Sequence, residues 1–170
     1  MIINDFTNKK WEIDCIGCSI ANRKMLCPGG MIYENESCYI HQDPAVPIEG
    51  FLIVGTKRHI QRITDLSKKE YSDLSFLIYE GRNLINTIVT VKNITIIQEE
   101  GSSHLHFWLF PWHDWMIKKY GKESLDYIRT ITKDAKTTLN TPEHIRRIID
   151  WVEEFKIMIE KKNTKNQKSI

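Results

Sequence analysis

Long apolar runs are missing from this 170-residue chain. None approaches the roughly 20 residues that cross a bilayer as a helix. The first residues, MIINDFTNKKWEID, carry charges and Asn where a secretion signal needs an apolar block. The expectation is therefore a cytoplasmic protein without a membrane partner. An excess of one charge is missing too. Lys plus Arg number 24 against 22 Asp plus Glu, a formal net charge of +2. That near-balance argues against a general or sequence-specific nucleic-acid binder, which needs a clear basic surplus for phosphate. No internal repeat is present. Apolar residues at 41% and charged residues at 27% describe an ordinary globular chain with one domain's length and enough mass for a core.

Four cysteines remain: Cys15, Cys18, Cys27 and Cys38. In a reducing cytoplasm disulfides are a poor use for them, so the C-x-x-C pair Cys15–Cys18 asks for another role. A redox pair needs a strand leading into a helix and a lowered thiol pKa, and no convincing strand precedes it. Two buried structural thiols are a second reading. A zinc site fits best, because this spacing gives one tetrahedral ion two thiolates and two histidines can complete it. His41, His59, His104, His106, His113 and His144 are the candidate partners, and spacing does not choose among them.

Along the chain, CPGG (27–30) marks a turn before two short strands, MIYE and SCYIH, and GFLIV (50–54) is a compact buried strand. Ser67 with Glu70 forms a capping box for a helix to about Asn86, with Tyr71, Leu74, Ile78 and Ile85 along it. ITIIQ (94–98) and HLHFWLF (104–110) pair antiparallel across a turn at Gly101. A last helix starts at Thr141-Pro142 and carries an apolar stripe through Ile145, Ile148, Val152, Phe155 and Ile159. The order is α+β with an antiparallel sheet. Three parts are expected: residues 1–114, a C-terminal helical extension over 115–160 packed on them, and a polar flexible tail over 161–170.

The strand HLHFWLF concentrates the chemistry. Alternation puts Leu105, Phe107 and Leu109 on a core face and His104, His106 and Trp108 on the other. A pair of solvent-facing histidines beside a surface tryptophan is the plain alternative. The context favours more. Gly101-Ser102-Ser103 is a small turn able to approach a phosphate, and Lys57-Arg58-His59 ends an upstream strand. A neutral imidazole is a competent nucleophile toward phosphorus.

Together, "DCIGC", "GFLIVGTKRHI…DLSKKE" and "HLHFWLFP" resemble the histidine triad (HIT) superfamily from about Asp14 to Pro111. The resemblance implies a small α+β fold, with an antiparallel sheet and one long helix after the His59 strand end. It also implies a homodimer that binds nucleotides, whose enzymes hydrolyse or transfer a nucleotidyl group through a phosphohistidine. Carried over by position, His106 is the nucleophile, Trp108 takes the third triad place and Ser103 assists. Ser102, Ser103, Gln98, His41 and Asp43 contact nucleotide. Cys15, Cys18, His59 and His104 hold a structural zinc, as in the zinc-containing branch. Trp108 stands where the family has His or Gln, and its indole donates without shuttling a proton. Glu99 and Glu100 make the phosphate loop acidic. The leading expectation is an α-phosphate hydrolase or nucleotidyltransferase. The alternative is a zinc-stabilised nucleotide-binding protein with little or no turnover.

Overall fold

A computed structural model describes residues 1–167. A hairpin of β1 (Ile2–Asn4) and β2 (Lys10–Glu12) leads into a short helix α1 (Ile16–Ala21). Strands β3 (Met31–Glu34), β4 (Cys38–Gln42) and β5 (Leu52–Thr56) follow, then the long helix α2 (Lys68–Ile85). Strands β6 (Val91–Ile97) and β7 (His106–His113) complete an antiparallel sheet of order β3-β4-β5-β7-β6, and α3 (Asp114–Tyr120), α4 (Leu125–Thr138) and α5 (Pro142–Gln167) close the chain.

The expected α+β class with its antiparallel sheet is what forms. The apolar run at 50–54 becomes the sheet's middle strand because both its faces are covered. Leu52 and Val54 meet α2 and α5, through Leu74, Leu77, Trp151, Val152 and Phe155. Phe51 and Ile53 point to the opposite layer, where Met116 of α3 and Ile128, Ile131 and Ala135 of α4 cover them. Ser67 caps α2: its hydroxyl accepts the Glu70 amide at 3.2 Å and Glu70 accepts the Ser67 amide at 2.7 Å. Tyr71, expected on the buried side, is 54% exposed. Leu77, Gly81 and Leu84 complete the buried face with Leu74 and Ile85, and Gly81 allows the close approach. A Cβ there would sit 2.5 Å from Leu109 and 2.7 Å from Ile40.

Three expectations shift. A strand does precede the C-x-x-C pair, because three-residue strands in a hairpin are too short to show alternation. The histidine strand starts at His106, so His104 lies just before it rather than within it. Its far end runs through Pro111 to His113. Pairing with β5 stops at Leu52–Leu109, leaving Pro111 beside β6 alone, where a missing N–H is tolerated on the open side. At the C-terminus α5 extends through Gln167, into the stretch read as a tail. Residues 168–170 of that tail lie outside the described residues.

Candidate functional site

Cys15 caps the start of α1 and Cys18 sits one turn on. His59 follows the end of β5, and His104 approaches from the loop before β7. Backbone bonds tie these loops together, with the Leu105 amide donating to the Ile60 carbonyl at 2.6 Å. The four side chains converge, one ligand atom from each lying within 4.8 Å of every other. Sulfur to Nδ1 distances are 3.6 and 3.4 Å from Cys15 to His59 and His104, and 3.2 and 3.6 Å from Cys18 to the same pair.

A tetrahedral ion with Zn–S near 2.3 Å and Zn–N near 2.0–2.1 Å requires S···N edges of about 3.5–3.6 Å. The donor set and its spacing therefore fit zinc. His104 Nε2–H donates to the Thr56 carbonyl at 2.7 Å, which leaves Nδ1 as the free lone pair facing the thiols. Gly17 lies flat against the His104 ring, since a Cβ there would stand 2.4 Å from it. Burial and the adjacent Cys15 push the Cys18 thiol up. Cys27 and Cys38 are buried elsewhere, and burial raises Cys38 to about 12.

Beside this cluster a cleft of about 630 Å³ opens on the sheet face toward α4. Its floor is a row of alternating residues across three strands: Tyr39 and His41 of β4, Ile53 of β5, and His106 and Trp108 of β7. Gly55 pairs with His106 and leaves room for the Tyr39 ring, which a Cβ would meet at 2.6 Å. The β1 hairpin and α1 wall one side through Met1, Ile3, Ile16 and Ile20, and Ser102 and Ser103 line another edge.

His106 Nδ1–H donates to the His104 carbonyl at 2.8 Å, so its Nε2 carries the free lone pair. The same carbonyl accepts the Ser102 hydroxyl at 2.8 Å. Trp108 packs edge-on against Phe51 with ring centroids 5.3 Å apart. Asp43 Oδ1 accepts the amides of Ala45 and Val46 at 2.8 and 2.9 Å, while burial pushes its carboxyl above the ordinary range.

His41 is buried in β4 and donates Nδ1–H to the Gln42 carbonyl at 2.7 Å. Burial lowers it from 6.5 to about 4. The folded protein thus refuses a proton that the unfolded chain takes. This contribution is complete above pH 6.5 and is lost as the pH falls toward 4, by about 3 kcal/mol. His41→Gln should flatten the fall in melting temperature across that window. Both proteins share every other titrating group, so the difference between the two curves isolates His41. Parallel curves would remove the assignment.

The structure thus brings together ten of the eleven residues singled out from sequence, in two adjoining groups. Gln98 is the exception: it does not line the cleft, and its Nε2 is buried without a partner. Lys57 and Arg58 are held by Glu34 at 3.3 Å and by Glu70 at 2.8 Å, away from the cleft. Beyond Trp108, Trp112 is buried with its indole donating to Thr95, and Trp115 packs in the α3–α4 layer. Two contributions went unseen in the sequence. The terminal hairpin forms a wall, and α4 brings Lys136 to the rim. A sequence signal for α4 did exist in Ser124 followed by Leu125, Ile128, Ile131 and Ala135 at helical spacing.

No protein-family model matches the sequence, and no curated protein matches it significantly. Solved structures do match. A HIT family protein from Bacillus anthracis aligns at 20% identity with a TM-score of 0.55, covering 74% of this chain and 94% of that one. A hypothetical histidine triad nucleotide-binding protein from Sulfolobus tokodaii gives 0.58 at 15% identity, over 86% and 94% of the two chains. The fold is the histidine triad fold. A zinc-bound histidine triad family protein from Mycobacterium smegmatis, at 15% identity and 0.55, covers 83% of this chain and 94% of its own. On the histidine triad fold, the present chain sets its Cys2His2 cluster and its His106 cleft back to back, with His104 and His106 two residues apart.

Proposed function

We propose that the cleft binds a nucleotide and that His106 cleaves it at the α-phosphate, as a hydrolase or nucleotidyltransferase. The supporting observation is the His106–His104 carbonyl bond, which leaves Nε2 as a base-form nucleophile in a pocket with Ser102 and Ser103. Nε2 attacks phosphorus, the leaving group departs, and a nucleotidyl-His106 passes to water or an acceptor. Ser103, exposed and near the nucleophile, supports an equatorial phosphate oxygen. Ser102 contributes through position, its hydroxyl proton being held by the His104 carbonyl. Asp43, with His41 beside it, offers its second carboxylate oxygen to the ribose hydroxyls. The apolar walls take the base.

Cys15, Cys18, His59 and His104 hold a zinc ion in this reading. The histidine triad neighbour described as zinc-bound supports it, as does the fit of the donor spacing. Zinc here is structural, with four protein ligands and no open position for water. Its contribution is to pin the loop before β7 and thereby aim His106. The cytoplasm, where thiols stay reduced, suits such a site.

A panel of phosphoramidates, dinucleoside polyphosphates and nucleotide sugars, assayed for mononucleotide release by wild type and His106→Ala, tests the enzyme reading. Trp108 favours the alternative of a nucleotide-binding protein without turnover, and binding with no release above the mutant would select it. We also propose a homodimer. Tyr71, Phe76 and Tyr79 are exposed aromatics of α2, at 54%, 39% and 64% exposure, a residue type that interfaces use. Sedimentation of a single 20.1 kDa species would refute it.

A further inference from the structure

The four cysteines fall into two kinds. Cys27 and Cys38 are 6% and 0% exposed, so an oxidant in solvent does not reach their sulfurs. Cys15 and Cys18 are half-buried, and His59 beside them is exposed. The strand-then-helix setting of a redox pair is also present. Strand β2 leads through Ile13 and Asp14 to Cys15 at the start of α1. The two sulfurs lie within 4.8 Å of each other, a gap that side-chain rotation closes to a bond without moving either loop. A metal-bound thiol is fully deprotonated, and the thiolate is the form that attacks an oxidant.

Withdrawing the two thiolates from the ion would leave α1 standing. Tyr39, 1% exposed, donates its hydroxyl to the Gly17 carbonyl at 3.1 Å. Ile20 packs with Ile13, Met25 and Tyr39 in a small core of their own. His104 keeps its Nε2 bond to the Thr56 carbonyl. What goes is the tie between α1 and the loop before β7. Both of those segments line the cleft, α1 through Ile16, Gly17 and Ile20, and the loop through Ser102, Ser103 and His104.

We propose, resting on the zinc reading, that Cys15 and Cys18 are a modification site for hydroperoxides, whose closure to a disulfide releases the metal and unties the Ser102–His104 edge of the cleft. One thiolate attacks a peroxide oxygen and forms an S–O bond. The O–O bond breaks and its electron pair leaves on hydroxide or alkoxide. The second thiolate attacks the resulting sulfenic acid, the S–O bond breaks, and hydroxide departs. Two sulfurs are thereby oxidised by one peroxide, and solvent supplies the two protons that neutralise the leaving oxygens. The disulfide sulfurs carry no charge, and two histidines are half of a tetrahedral set. A reductant reverses the change, because α1 and His104 keep their places through Tyr39, Ile20 and Thr56.

The test treats the zinc-loaded wild type with hydrogen peroxide beside a chromogenic zinc indicator. Zinc should leave in step with a fall from four free thiols to two. Peptide mapping after alkylation should place the disulfide between Cys15 and Cys18. A phosphine reductant with added zinc should restore both zinc and thiols. Hydrogen exchange over residues 102–105 should quicken several-fold in the oxidised protein, while the amides of β4 and β5 hold. Zinc retained with all four thiols intact would overturn the proposal. So would a disulfide that includes Cys27 or Cys38, an oxidation that no reductant reverses, or exchange over 102–105 left unchanged after full release. A protein that holds no zinc and takes up none when it is supplied would instead remove the zinc reading beneath it.

Discussion

Replacing His106 with alanine will cut mononucleotide release by about 10⁴-fold or more, the scale on which covalent catalysis fails when its nucleophile goes. Nucleotide affinity will change only a few-fold. The two effects separate because the imidazole supplies one atom to the chemistry and only part of the floor to the pocket. Ile53, Tyr39, the α1 wall and the Ser102–Ser103 edge remain in place. A rapid-quench assay for the covalent nucleotide, run beside a binding titration, reads both. Release from the alanine variant at the wild-type rate would mean that another group attacks phosphorus. Loss of binding in parallel with turnover would make His106 a pocket residue and no more.

The second large effect falls on the metal. Cys15→Ser removes one thiolate from a set whose four S···N edges already match a tetrahedral ion. A serine hydroxyl is a poor replacement, being protonated and a weaker donor to zinc. Zinc content should fall well below one per chain. Melting temperature should fall by about 10 °C, from a loss of several kcal/mol at 2–4 °C per kcal/mol for a chain of this size. A chelator should bring the wild type to the same point and leave the variant nearly unmoved. Full zinc in Cys15→Ser would sink the four-ligand assignment.

The pieces of both groups carry local signals, but spacing left six histidines open. The assignment of His59 and His104 beside the cysteines, and of His106 as nucleophile, came from the resemblance to the histidine triad superfamily. The C-x-x-C spacing, the Ser67–Glu70 cap and the alternation around His106 each reflect a constraint acting within a few residues. The run at 50–54 could be placed on the same ground, since a strand covered on both sides is continuously apolar. What escaped reading depends on packing between distant segments. Strands β1 and β2, of three residues each, are set by their pairing and not by period. His104 falls outside β7 because its ring must turn toward the thiols, which no alternation rule describes. Gln98, carried over from the resemblance as a nucleotide contact, lies away from the cleft. Lys136 was indistinguishable from any exposed helical lysine until Ile128 and Ile131 docked α4 on the sheet.

The cleft's walls are spread along the chain, and this sets an order of events during synthesis. Met1 and Ile3 emerge first, His106 and Trp108 near the middle, and Lys136 last. At roughly 5–20 residues per second, the stretch between His106 and Lys136 takes about 2–6 s to translate. Throughout that interval the nucleophile's strand faces solvent without α4, and the apolar residues Phe51, Ile53 and Phe110 lack their cover. A ribosome-bound chain arrested before α4 would present a sticky, half-built sheet face to the cell. Docking of α4 covers that face, while the opposite face stays open longer still, until Trp151, Val152 and Phe155 of α5 emerge.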